Sequence, residues 1–301
     1  MSNFIQILFS SLEIGSVYAL AALGIIIIFR TSQLINFAQG SLGMFSAYIA
    51  AFFIQGGESS LEVQVMKHST IIAVLVGMLA AFLMGVIIDF LVVRRAKKQT
   101  SPLALPIITL GIVMMLTGLA PIVFGGNPLA FPRFIENASV SILGVTIMVN
   151  SIVCIILGFM VLAAVFLFLQ NTVWGLAVRT TASNETTARL MGVPTKIVTM
   201  VAWAVAAALG ALSALILAPS TVVDIVMMDG VQLNAFIACV LGGFQTFYGP
   251  VIGAYILALT KNIFGFYIST TWGTAINYVL ILIFIVIRPY GLFGKKTVKK
   301  V

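Results

Sequence analysis

Apolar runs separated by short polar and basic clusters dominate the chain from end to end. Stretches such as 71–90, 147–169 and 278–287 lack the ten-residue alternation of membrane strands. Several approach the roughly 20 apolar residues a helix needs to cross about 30 Å of hydrocarbon. Spans are therefore predicted at 4–29, 35–55, 70–93, 103–124, 144–169, 197–218 and 270–287. Between the last two, 231–266 divides around the sequence GGFQTFYGP at 242–250. Glycine relaxes φ and proline removes a backbone donor, so a helix is interrupted there. Two pieces, 231–241 and 250–266, follow, either half-helices meeting inside the membrane or two tilted spans.

Composition turns this pattern into a fold class. Of 301 residues, 61% are hydrophobic and only 8% are charged, against roughly 25% charged in soluble domains. The outer surface must then face lipid, where every backbone polar group needs an internal partner, and helices or closed barrels are the only answers. The expected architecture is all-α: one domain over 1–301, a polytopic integral membrane bundle of about eight or nine segments, broken or re-entrant helices included. Residues 4–29 lack a basic leader and a small-residue cleavage site, and read as a retained span rather than a signal peptide. Cys154 and Cys239 fall in apolar runs and read as buried thiols, with no metal or disulfide framework.

The net charge of +8 would suggest nucleic acid in a soluble protein. Here the basic residues interrupt spans and report topology and anionic lipid instead, with no nucleic-acid partner. Arg30, Arg94, Arg95, Lys97, Lys98, Arg179, Arg189, Lys196, Arg288, Lys295, Lys296, Lys299 and Lys300 fall on alternate connections, on one side of the predicted arrangement. Only Lys67, Arg133 and Lys261 fall toward the other. The positive-inside rule makes the crowded side cytoplasmic, with the N-terminus outside and the C-terminus inside. Segments 56–69, 125–140 and 219–230 then lie outside, with Glu58, Glu62, Glu136, Asp224 and Asp229 among their solvated charges.

The longest cytoplasmic connection, 170–196, reads QNTVWGLAVRTTASNETTARLMGVPTK. Ser183 can cap a short helix, Glu185 lies in its first turn where the dipole favours negative charge, and Gly192 and Pro194 end it. About two turns result, carrying Ala182, Ala188, Leu190, Met191 and Val193, which so short a helix cannot bury by itself. Such a surface suits a groove on an ATPase; it equally suits the membrane surface or the rest of the same chain.

Three signatures carry a resemblance. The segment around Arg179, Ala182, Asn184, Glu185, Ala188, Leu190 and Gly192 is similar to the A-x-x-N…A-x-L-x-G-[IV] coupling loop of branched-chain amino acid ABC permeases. The N-terminal GSVYALAALG at 15–24, INFAQG at 35–40 and Tyr48, and the C-terminal RPYGLFG at 288–294, agree in order and spacing with that family. Together they span almost the whole chain and look closest to the shorter, H-type permease. The resemblance implies a second permease subunit (M-type or a second copy), two cytoplasmic ABC ATPases and a periplasmic or lipid-anchored substrate-binding protein, in an inner membrane. It implies no cofactor on this chain, with ATP and Mg on the partner subunits. It implies branched-chain amino acids as substrates, although relatives carry urea, short amides or other amino acids. Ser41 stands where many relatives have an acidic residue.

The substrate-path candidates are Glu13, Tyr18, Asn36, Gln39 and Gln245. Glu13 lies deep in the first span and can meet a substrate ammonium or pair with Lys261; Lys261 can also snorkel outward. Asn36, Gln39 and Gln245 lie at the two helix breaks and can contact substrate or hold helices together. Asp89 is expected to be satisfied by Arg94. The chain has no G-x-x-x-x-G-K-[ST] phosphate loop, no catalytic residues and no metal site, so energy is expected in trans. An ion-coupled carrier would want clustered buried carboxylates or histidines; the single His68 falls in a predicted outside loop. An intramembrane enzyme finds no H-E-x-x-H and no Ser/His/Asp set.

Overall fold

Helix after helix follows the apolar runs in the computed structural model, which describes residues 2–55, 69–99, 104–135, 138–142 and 145–294. The elements are α1 (Ser2–Ser32), α2 (Gln39–Ile54), α3 (Thr70–Ile88), a π-helical turn (Asp89–Val93), α4 (Arg94–Gln99) and α5 (Ala104–Phe124). A hairpin of β1 (Ser139–Ile142) and β2 (Val145–Met148) leads into α6 (Val149–Asn171), α7 (Val173–Ser183), α8 (Glu185–Leu190) and α9 (Thr195–Leu217). A 3₁₀ turn (Ala218–Ser220) precedes α10 (Asp229–Gly242), α11 (Tyr248–Tyr267) and α12 (Thr270–Ile287). Among the described residues, α1, the α3–α4 segment, α5, α6, α9 and α11 are long and apolar enough to cross a membrane. The expectations for Glu58, Glu62, Lys67, His68, Glu136, Lys295, Lys296, Lys299 and Lys300 lie outside the described residues.

Helix α1 is the axis of the bundle. Ala19–Leu23 and Ile25–Ile28 are all buried, because α1 is apolar on every side and neighbours cover every side. Ser213 on α9 donates to the Val17 carbonyl at 2.9 Å, and the Ser16 and Tyr255 hydroxyls meet at 3.0 Å. Peripheral helices bury single stripes. In α3 the stripe is Ala73, Gly77, Ala81 and Gly85, one small residue every fourth position. That row brings the α3 backbone against α9: a Cβ on Gly85 would lie 2.6 Å from the Trp203 carbonyl oxygen. The other faces of α3, α5 and α12 expose large side chains such as Ile71, Met114, Ile122 and Val286, as lipid contact requires.

Two predicted spans change shape. The segment 144–169 is helical only from Val149; Val145–Met148 form β2, antiparallel to β1 with Val140 opposite Ile147. The segment 35–55 is helical only from Gln39. Its side chain bonds the Ala206 carbonyl near the middle of α9, and a Cβ on Gly24 of α1 would strike it. Helix α2 thus starts about half-way through the bundle, some 12 Å above the end of α1 at 1.5 Å per residue. At 16 and 14 residues, α2 and α10 are about 24 and 21 Å long, short of a full crossing. They meet where the Gly40 amide donates to Gln232 Oε1.

The break between α10 and α11 closes on the C-terminal signature. Gly243 adopts φ +93°, a left-handed turn that no branched residue adopts without strain. The Leu292 amide donates to the Leu241 carbonyl at 2.8 Å and Phe293 packs edge-on against Tyr248 at 5.3 Å. Arg30, at the end of α1, donates to the Gln245 carbonyl and lies 4.9 Å from the Phe247 ring centre. The α10–α11 turn therefore lies at the same end of the bundle as Arg30 and the 288–294 segment.

Candidate functional site

At that basic end, α7 and α8 form a compact angle between α6 and α9. Thr172 caps α7, its hydroxyl accepting from the Gly175 amide at 2.9 Å. The expected cap at Ser183 is corrected: Ser183 is the last residue of α7, and Asn184 caps α8 instead. Asn184 has extended φ of −159°, and its Oδ1 accepts from the Thr187 amide at 2.9 Å. An asparagine one residue closer to the helix fills the role better, because its carbonyl oxygen reaches the orphan donor of the first turn. Glu185 occupies that first turn, and Gly192, at φ +85°, ends the helix in the left-handed region.

The short helix has two faces. Ala188 is 3% exposed and Ala182, on α7, 9%, whereas Leu190 is 84% and Met191 80% exposed. Small alanines seat the angle on the bundle; the two large apolar side chains stand exposed among the described residues. Glu185 ties α8 to its surroundings, 3.7 Å from Lys97 of α4 and 3.1 Å from Arg189 one turn on. Arg94 extends the tie: it pairs with buried Asp89 at 3.1 Å and donates to the Lys196 carbonyl at the start of α9 at 2.8 Å. Asp89 is satisfied by Arg94 as the sequence anticipates. Arg179 is not part of this network; it donates to the Gln170 carbonyl at 3.3 Å and joins α7 to α6.

The intramembrane candidates separate into groups. Asn36 and Gln39 are fully buried and bonded within the helix break: Asn36 Oδ1 accepts from the Ala38 amide at 2.9 Å, and Gln39 Nε2 donates to Ala206 at 2.7 Å. Gln245 lies exposed at the other break, its carbonyl held by Arg30. Tyr18 belongs to a polar seam across α1, α10, α11 and α12. Its hydroxyl accepts from Asn234 Nδ2 at 3.2 Å and from Lys261 Nζ at 3.3 Å, while the Tyr278 hydroxyl donates to Asn234 Oδ1 at 3.2 Å. Lys261 therefore turns inward to Tyr18, neither snorkelling outward nor pairing with Glu13. Glu13 is partly buried and has no ion-pair partner among the described residues. Asn234 and Tyr278 were not anticipated; a lone Asn and a lone Tyr inside apolar runs were the only signal.

The profile of the protein family described as branched-chain amino acid transport system / permease component matches residues 7–287. The chain belongs to this family. Among its relatives, the high-affinity branched-chain amino acid transport system permease protein LivH of Salmonella typhimurium is 24% identical over 99% of this chain and 98% of its own length. The corresponding permease protein BraD of Pseudomonas aeruginosa is 25% identical over the same shares. A more distant similarity, 24% over 85% of this chain and 68% of the relative, joins the autoinducer 2 import system permease protein LsrC of Yersinia pseudotuberculosis. No solved structure matches. As a permease component of ABC importers, the chain is a membrane transport subunit and not itself an enzyme. The family works with ATPase and substrate-binding partners.

Proposed function

We propose that the chain imports branched-chain amino acids by alternating access, with α8 as the helix that receives force from an ATPase. The observation that carries this reading is the division of α8 into a seated face and a bare one. Leu190 and Met191 offer an apolar surface to a partner, and Glu185 with Arg94 passes any displacement of α8 to α4 and α9. ATP and Mg belong to two ATPase subunits on the basic side, which is taken as cytoplasmic with the N-terminus opposite. A second permease, M-type or a second copy, completes the core, and a periplasmic or lipid-anchored binding protein delivers substrate to the far face. Urea or a short amide is the alternative cargo.

Within this reading Asn36 and Gln39 hold the α2 break in shape, while Glu13 and Tyr18 are the polar groups offered to the path. Unpaired charge at membrane depth is costly and is retained where water or substrate reaches it. The test is reconstitution of the complex in proteoliposomes with labelled leucine, isoleucine, valine, urea and acetamide. ATP-dependent accumulation of the three amino acids supports the proposal. Accumulation without any ATPase would establish an ion-coupled carrier in its place.

A further inference from the structure

A cavity of about 880 Å³ opens at the basic end between the end of α1, the π-helical turn, α4, α5, α8 and α9. Arg94, Arg95, Lys97, Arg189 and Lys196 line it, against only two carboxylates, Asp89 and Glu185. Both carboxylates are already engaged, Asp89 by Arg94 and Glu185 by Lys97 and Arg189. The side chains of Arg95 and Lys196 have no ion-pair partner among the described residues. Ser32, 5% exposed, also lines the cavity, and its hydroxyl is a buried donor without an acceptor. Free cations and an unused hydroxyl converge on one space, and the ligand that completes them is an anion with several acceptor oxygens.

The cavity reaches below the surface. Phe90 and Val93 in its wall belong to the span 70–97, and Phe90 is 55% exposed. We propose that this cleft binds a phosphate group, supplied by the headgroup of an anionic phospholipid whose chains lie along Phe90. A phospholipid places phosphate at the cations and hydrocarbon beside the aromatic ring. Basic pockets between membrane helices take lipid headgroups in this way. The lipid would brace α4, α8 and α9 around the Glu185 and Arg94 ties.

The test is thermal unfolding of the full-length chain in uncharged detergent, titrated with phosphatidylglycerol, phosphatidylcholine or inorganic phosphate. Phosphatidylglycerol should raise the midpoint beyond phosphatidylcholine. Arg95→Gln with Lys196→Gln should weaken its half-saturation about thirtyfold, two surface cations' share. Arg95→Lys with Lys196→Arg should keep the response and so control for misfolding. A shift from inorganic phosphate alone, lost in the same glutamine variant, keeps the anion site but overturns the lipid as its source. Equal responses to the two lipids, or an unchanged phosphatidylglycerol response in the glutamine variant, overturn the proposal. So does an unchanged lipid response combined with loss of ATPase copurification, which assigns the two cations to the ATPase.

Discussion

Asn184 and Gly192 bracket six residues of helix that would not form alone. An isolated helix this short is far below the length that holds itself together, so its geometry depends on its caps and on Ala188. Asn184→Ala removes the acceptor for the Thr187 amide and should cost about 1 kcal/mol of local stability. Amide exchange over 185–190 should then speed about fivefold with the rest of the bundle unchanged, and Asn184→Asp should largely preserve protection. The Asp89–Arg94 pair makes the opposite kind of prediction, because one partner is buried. Arg94→Leu leaves Asp89 without its counter-ion and should lower stability by about 3 kcal/mol, read as a lower midpoint of thermal aggregation in detergent. Adding Asp89→Asn should recover much of that loss.

Among elements, α3 and α9 show how a membrane bundle is held without a difference in polarity between protein and lipid. Their row of small residues lets the two backbones touch, and packing follows from shape. Gly85→Val should sharply reduce the yield of folded, extractable protein. Gly118→Val, on α5 with nothing within reach of a new Cβ, should leave it unchanged. Helix positions were legible because apolar runs near 20 residues have few other uses, and the basic turns separating them are short. The β1–β2 hairpin was not read, although SVSI and VTIM alternate around Leu143 and Gly144, because the apolar run that follows merges with them. The late start of α2 was hidden for a different reason. Apolar residues at 34–38 read as helix, and only the tertiary bonds of Asn36 and Gln39 reveal the break. Ser183 and Asn184 are both good caps, so the choice between them rests on where α7 ends.

For the whole molecule, the basic end joins three stretches that lie far apart in the chain: the α1 terminus, the α10–α11 turn and the 288–294 segment. Arg30, Gly243 and Leu292 lock them together beside the α7–α8 angle. Under the proposed coupling, a displacement of α8 would meet a braced surface and pass through Lys97 and Arg94 to the α3–α4 segment and α9. The seam of Tyr18, Asn234, Lys261 and Tyr278 meets the axis helix at Tyr18, so movement around α1 would change what the seam faces. Sequence made the 170–196 segment visible and left the seam invisible, since four single polar residues on four helices share no spacing.

We propose α8 as the helix that an ATPase grips. Its most direct test is Leu190→Asp with Met191→Asp, two exposed positions whose replacement leaves the seated face of α8 intact. The variant permease should insert and fold as the parent does, while ATPase subunits no longer copurify with it and ATP-driven amino acid uptake in proteoliposomes falls to background. ATPase subunits retained at the parent's stoichiometry, with uptake unchanged, would contradict it.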